Sequence, residues 1–294
     1  MTVRVEKNSN LILRNLTKTI WDEFVYGGHF LALGDAVALY VMAVILSISV
    51  TWSFLVVIYL CVFAANLFNR SDESVHDRLT NPIRLKVMKK YSDNFYPIVL
   101  VCLVVSASLV VIFSGINALI LASLIFVVAI LYTTLFKKMT RYIVGFKSYV
   151  AAFFYALMVF LLVIYYKAPI NTAVILIFIF YYMRIFISNA ACDVKDIESD
   201  KRRGLKTLAI SLGEDTAMGL LNFINICSGL IIIFGVVTGI LPSFSLGLLL
   251  TVPYASYYFY FNSKMDAKEA FTNAIVDGEF LLWLPFILLG KVFL

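Results

Sequence analysis

Nine apolar runs divide this chain, at about 29–50, 52–68, 95–114, 117–136, 144–165, 170–190, 217–239, 243–262 and 279–294. About 20 apolar residues cross the hydrocarbon core of a bilayer as a helix. In lipid the backbone must satisfy its own hydrogen bonds, so a chain of such runs is all-α. The fold class that follows is a polytopic membrane protein of nine transmembrane helices. The first and last runs fit least well, being short or interrupted by a charge. Composition excludes a soluble alternative: 62% of residues are hydrophobic, 14% are charged, and the mean hydropathy is +0.93.

Positive charge orients the spans. With the N-terminus cytoplasmic, 21 of the 24 lysines and arginines fall on the inner side. Only Lys167 and Lys291 fall outside, and Arg184 lies within a span. This is the positive-inside pattern of a multi-pass protein of the cell membrane. The net charge of +6 is then topology, and no nucleic-acid partner is needed. Charges near the N-terminus argue against a cleaved signal peptide. Cys61, Cys102, Cys192 and Cys227 are scattered and read as small buried hydrophobes. Residues 1–294 read as one domain.

Two acid clusters stand out against this background, NRSDESVHD at 69–77 and DVKDIESD at 193–200. Carboxylates are costly near lipid and mark function there. Asn69, Glu73 and Asp77 are spaced by four, with Asp72 flanking them. Asn189, Asp193, Asp196 and Asp200 are spaced by four, three and four. Each set is expected on one helical face. Each has an Asn before the acids and a basic stretch after them, as in a weak duplication of two halves, roughly 20–140 and 141–294. Two facing sets of hard oxygen ligands suit magnesium, which takes one or two carboxylates and keeps several waters. Metals let carboxylates and a diphosphate share a site, so a metal–phosphate centre at the inner ends of the spans is expected.

The second cluster, continued as KRRGLKTLAISLG, resembles the second aspartate motif of the UbiA superfamily of intramembrane prenyltransferases, DxxDxxxD followed by GxxTL and LG. The first resembles that family's NDxxDxxxD continued by NPxR, through Asn69, Asp77, Asn81, Pro82 and Arg84. It departs at Arg70, where the family often has Asp, and at Glu73, where it has the middle Asp. The resemblance implies a bundle of nine helices around a central cavity. It also implies magnesium held by Asn69, Asp72, Glu73, Asp77, Asp193, Asp196 and Asp200. A polyprenyl diphosphate donor would bind at the polar mouth with its tail in the apolar interior. Tyr132, Lys137 and Lys138 resemble the family's Tyr/Lys diphosphate segment, and Arg84 and Lys206 are similar phosphate partners.

The expected reaction is transfer of the prenyl group to a lipophilic acceptor with release of diphosphate. The acceptor is an aromatic quinone precursor, a lipid hydroxyl or an isoprenoid, and Asp193 or Asp196 takes its proton. The alternatives are a membrane terpene cyclase, phosphoribosyl transfer to a polyprenyl phosphate, and a non-catalytic lipid-binding or transport protein. Arg184 needs an acid partner inside the membrane, and Asp35, the lone acid of the first span, is the expected one. His29 after Gly27–Gly28 reads as a packing residue, and His76 as pointing away from the site.

Overall fold

The computed structural model describes the backbone of residues 2–73, 77–262 and 268–294, and the side chains at 14–71, 78, 80–261 and 269–294. Among these residues every regular element is a helix. The chain starts with α1 (Thr2–Tyr26), α2 (His29–Ile45) and α3 (Trp52–Glu73). Two short helices, α4 (Asp77–Thr80) and α5 (Pro82–Met88), precede α6 (Phe95–Phe113) and α7 (Ile116–Leu131). A π-helical turn, Tyr132–Phe136, leads into α8 (Lys137–Met139). Then come α9 (Phe146–Ala156), α10 (Met158–Tyr165), α11 (Thr172–Cys192), α12 (Ile197–Arg202), α13 (Leu208–Leu212) and α14 (Glu214–Val237). A 3-10 segment (Ser243–Leu250) runs into α15 (Thr251–Asn262). After α16 (Lys268–Phe271) and a second π-helical turn (Thr272–Val276), α17 (Glu279–Phe293) ends the chain.

Helix occupies all nine apolar runs, but not as nine equal spans. Among the described residues, six helices are long and apolar enough to cross a membrane: Trp52–Ser71, Phe95–Phe113, Ile116–Met139, Phe146–Tyr165, Thr172–Cys192 and Glu214–Val237. A seventh candidate is the pair Arg14–Tyr26 and His29–Ile45, bent by 57°. The bend falls at Gly28, whose φ of 103° favours glycine. The last two runs are shorter as helices. Pro242 opens the 3-10 segment, and α17 carries Pro285 within its 15 residues. These two segments press together through glycines. A Cβ on Gly247 would stand 2.2 Å from the carbonyl oxygen of Phe286, and one on Gly290 2.2 Å from that of Phe244.

The helices pack as a closed ring. α2 lies against α3, α3 against α6, α6 against α7, and α7 against α9 and α10. α9 packs on α11, α11 on α14, α14 on the 3-10 segment and α15, the 3-10 segment on α17, and α17 on α2. The inner faces supply one hydrophobic core. Outward, α6 and α7 present Leu100, Val101, Val104, Ile112, Ile120 and Leu124 exposed. An apolar surface this continuous is suited to hydrocarbon and would drive aggregation in water. The chain is an integral membrane protein.

Arg184, deep in α11, does not pair with Asp35 as expected. Its partner is Glu279, the first residue of α17. Nε donates to Oε1 at 2.7 Å and Nη2 to Oε2 at 2.6 Å, and neither side chain is exposed to any extent. The planar fork of arginine matches a carboxylate in two parallel bonds, and the entry of α17 places one opposite it. Asn225 Oδ1, Ser228 Oγ at 3.3 Å and the Thr251 carbonyl at 3.3 Å take the remaining guanidinium protons. Tyr258 donates to Glu279 at 3.1 Å. The network pins α11, α14, α15 and α17 together. Asp35 instead accepts from Tyr181 at 2.7 Å.

Removing one member of a buried pair strands the other. Arg184→Met is therefore expected to cost about 3–5 kcal/mol, read as a lowered melting temperature in detergent. Arg184→Met with Glu279→Leu should melt well above the single variant. A single variant as stable as the parent would remove the pair from the fold's supports.

Candidate functional site

α11 delivers the chain to the second acid cluster and stops there. Residues 193–196 form turns, and α12 starts at Ile197 with Asp196 as its N-cap. The acids do not share the one helical face expected from their spacing. The break lets Asp193 and Asp200 turn to one lysine and Asp196 to another. Lys147 Nζ on α9 sits 3.0 Å from Asp193 Oδ1 and 2.6 Å from Asp200 Oδ2, with all three groups buried. Ser148 donates to Asp193 Oδ2 at 2.9 Å. Burial pushes the Asp193 carboxyl up to about 6, against the pull of Lys147 and with the charge of Asp200 adding to the rise. Asp196 accepts from Lys195 Nζ at 2.7 Å and from Asn81 Nδ2 at 3.0 Å. Burial opposes its ionisation too, but Lys195 and Arg84 hold its carboxyl below the usual range.

In the first cluster α3 runs unbroken to Glu73 and so puts Asn69 and Glu73 one turn apart. The side chains of Asp72, Glu73 and Asp77 lie outside the described residues, as does His76. Asn69 Oδ1 accepts from Lys137 Nζ at 3.3 Å. Lys137 is buried while Lys138 is exposed, so only the former turns inward. Tyr132 opens the π-helical turn before them and acts electrostatically on Lys147. Such wide turns often re-aim side chains at functional positions.

Arg84 is buried on α5, close enough to act on Asp196 and Asp277. The Glu269 carboxylate fixes the start of that helix, accepting from Arg84 N at 2.9 Å and Ile83 N at 3.3 Å, just after Pro82. Lys206 is exposed. Its backbone joins the loop of Thr140 and Gly145, which brings the second motif alongside the Lys137 turn. Arg70, the departure in the first motif, donates to the Tyr26 carbonyl at the Gly28 bend. His29, stacked on Phe63, bonds Tyr59 at 2.6 Å, consistent with a packing role.

Lys147, Lys195, Glu269 and Asp277 escaped the sequence reading as site residues. Lys147 carried a signal: a lysine just inside an apolar run, GFKSYVAAFF, requires an acid to pair with. Glu269 and Asp277 had none, because only the closing of the ring brings the segment before α17 to the acid clusters.

Behind these groups lie three cavities in series. The first, about 140 Å³, is bordered by Asn69, Tyr132, Asn189 and Asp277 at its polar side and by Phe154, Tyr155 and Phe280 deeper in. It shares Ala65, Ala129, Phe154 and Tyr155 with an apolar cavity of about 60 Å³. That one shares Cys61, Ala122 and Phe126 with a third, of about 200 Å³, between α3, α6 and α7.

Among the described residues, no three acid, histidine or cysteine side chains converge as a finished metal site. The chemistry of the donors nonetheless fits magnesium. They are carboxylate and amide oxygens, and the Lys147 ammonium already occupies the place of a cation between Asp193 and Asp200.

A ring of apolar helices with buried carboxylates and lysines beside an internal cavity defines an integral membrane protein with a polar site set against an apolar interior. The chain belongs to the UbiA prenyltransferase family, whose model matches residues 29–284. No curated protein matches the sequence significantly. Among solved structures it is similar to the apo form of a UbiA homologue from Aeropyrum pernix K1, with a TM-score of 0.67, 14% identity, and coverage of 89% of this chain and 97% of that one. It is similar to a UbiA homologue from Archaeoglobus fulgidus bound to DMAPP and Mg2+, with a TM-score of 0.64, 14% identity, and coverage of 92% and 97%. A digeranylgeranylglyceryl phosphate synthase structure matches with a TM-score of 0.54, 16% identity, and coverage of 94% and 98%.

Lys147→Met should leave Asp193 and Asp200 facing each other without a counter-charge. We expect a lower melting temperature in magnesium-free detergent, in the range of about 3–5 kcal/mol for a broken buried pair. Adding Asp200→Asn to that variant should recover much of the loss. Unchanged melting of the single variant would mean that Lys147 does not balance these acids.

Proposed function

We propose that the chain is a magnesium-dependent membrane prenyltransferase that moves a prenyl group from a polyprenyl diphosphate to a lipophilic acceptor and releases diphosphate. The observation that carries this reading is the buried group Asp193–Lys147–Asp200, with Asp196 beside Lys195 and Arg84, within electrostatic reach of Tyr132, which together with Asn69 borders a cavity that continues into apolar space. The Archaeoglobus fulgidus homologue, of the same fold, was solved with DMAPP and Mg2+ and with GPP and Mg2+. In this reading all nine apolar segments lie in the membrane with the N-terminus and both acid clusters cytoplasmic. Each half of the single domain, roughly 20–140 and 141–294, contributes one cluster.

The residues divide the work by chemistry. Asn69, Asp72, Glu73 and Asp77 on one side, and Asp193, Asp196 and Asp200 on the other, hold magnesium. Bound there, magnesium supplies charge that stabilises the departing diphosphate. Lys137, with Arg84 and Tyr132, orients the diphosphate oxygens, and the two exposed lysines, Lys138 and Lys206, add a rim of positive potential. The isoprenoid tail enters the apolar cavities lined by Ile58, Val62, Phe126 and Leu161. Their walls exclude water from the reacting carbon and keep the allylic cation from hydrolysis. All four carboxylate oxygens of Asp193 and Asp196 are engaged by lysine, serine or asparagine, which supports a role at the diphosphate end over the proton-acceptor role expected of them.

The test is magnesium-dependent consumption of geranylgeranyl diphosphate by the purified protein with a lipid extract of its host. Diphosphate and a prenylated product should appear together, and chelation of magnesium should stop both. Asp200→Ala should reduce turnover on the order of 100-fold or more, the scale of losing one electrostatic element of a preorganised site. Full turnover in that variant would overturn the assignment of the second cluster. Diphosphate release without any acceptor, giving a hydrocarbon or alcohol, would make the enzyme a cyclase.

A further inference from the structure

One wall of the first cavity is left unused by the chemistry of the diphosphate. Asp35 on α2 borders it and is fully buried. Tyr181 donates to its Oδ1 at 2.7 Å, and its Oδ2 has no hydrogen-bond partner. Two donors bordering the same cavity, Nδ2 of Asn66 and Nδ2 of Asn189, are also without partners. A buried polar atom left unmatched costs free energy, and native folds leave few of them. Two donors and one acceptor around a single space describe a ligand that offers an O–H to Asp35 and oxygen lone pairs to the amides.

The charges on this wall restrict that ligand further. No lysine, arginine or histidine borders the cavity among the described residues, whereas two carboxylates do, Asp35 and Asp277. An anionic head placed here would meet like charge in a medium that screens it weakly. The rest of the lining, Leu31, Phe154 and Phe280 included, suits an apolar body. Arg70, Lys195 and Arg84 act on Asp277 from outside this lining, Arg184 is committed to Glu279, and the charge that acts on Asp35 is that of Asp277.

We propose that Asp35 is the proton acceptor of the transfer step, and that the acceptor substrate is an uncharged hydroxyl compound, an alcohol or a phenol. The proposal rests on the prenyltransferase reading above. The bond between the allylic carbon and the diphosphate oxygen breaks, and diphosphate leaves with the electron pair. The new bond to that carbon forms from the acceptor's oxygen, or in a phenol from the ring carbon that its oxygen activates. The proton released from the acceptor passes to Asp35 Oδ2 and then to water. The cycle returns Asp35 to its starting form. Tyr181 is a positioning residue that holds the carboxylate with Oδ2 free.

The experiment uses the full chain in lipid nanodiscs with magnesium and labelled geranylgeranyl diphosphate. The host lipid extract is first split by anion exchange into neutral and acidic fractions. Label should transfer into the neutral fraction. Asp35→Asn keeps the size and the bond to Tyr181, so the fold should persist, checked by melting temperature. It should slow transfer on the order of 100-fold or more, the range of a lost general base, with donor KM changed by less than about threefold. Tyr181→Phe should lower kcat less and leave donor KM alone. Transfer by Asp35→Asn at the parent rate, or label only in the acidic fraction, overturns the proposal.

A second measurement needs no turnover. Trp283 packs on Tyr181 and Phe280, with ring centroids 5.9 and 5.4 Å away, and reports on the cavity by fluorescence. The parent should bind 4-dodecylphenol more tightly than 4-dodecylbenzoate, and Asp35→Asn should lose that preference. This result without any consumption of the diphosphate would preserve the uncharged hydroxyl ligand and defeat the prenyltransferase reading and, with it, Asp35 as its base. Equal binding of the two probes by the parent overturns the proposal.

Discussion

A carboxylate placed among apolar helices must find a counter-charge or a strong donor, and most of this structure follows from that requirement. Transfer of an unpaired ion out of water costs several kcal/mol even after relaxation. Glu279 meets Arg184, Asp193 and Asp200 share Lys147, Asp196 takes Lys195, and Asp35 takes a tyrosine hydroxyl. Apart from that of the neighbours Lys195 and Asp196, each pairing joins helices distant in sequence. The ring of helices is therefore closed by its polar groups as much as by its core, because lipid offers no hydrophobic drive between apolar helices.

The same requirement makes a site. At the acid-cluster end, Lys147 balances Asp193 and Asp200, an arrangement that holds two negative charges together. Arg84 is held by the main chain of α5, which Glu269 pins through two amide protons. The π-helical turns at Tyr132–Phe136 and Thr272–Val276 lie next to the cavity walls, where Tyr132 and Asp277 border the same space. Polar residues and apolar depth meet at one boundary.

The departures from the family pattern are informative in the same terms. Arg70, in place of an expected Asp, is buried and donates to the Tyr26 carbonyl beside Gly28. It fastens the 57° bend between α1 and α2 to α3 and adds positive charge near Asp277. An aspartate could do neither. The first motif thus combines a ligand-bearing pattern with a structural cation, and the bend it secures sets the angle at which α2 carries Asp35 to the cavity.

Apolar runs, charge asymmetry and motif spacing made the helical membrane fold and the family legible in the sequence, because lipid imposes length and composition directly on each segment. The two acid clusters were legible for the same reason, as carboxylates where none should persist. The course of the backbone at the second cluster was not. Spacing by three and four indicated one helical face, yet the chain breaks at 193–196, where Asp193 and Asp200 turn to Lys147 on α9 and Asp196 to its own neighbour Lys195. The partner of Arg184 was equally out of reach: Asp35 lies within the first span and Glu279 at the start of the last, and only the tertiary placing of Glu279 against Arg184 decided between them. Local sequence determined what each segment had to be. The tertiary structure decided which charge met which, since pairing depends on distances between helices that no single segment encodes.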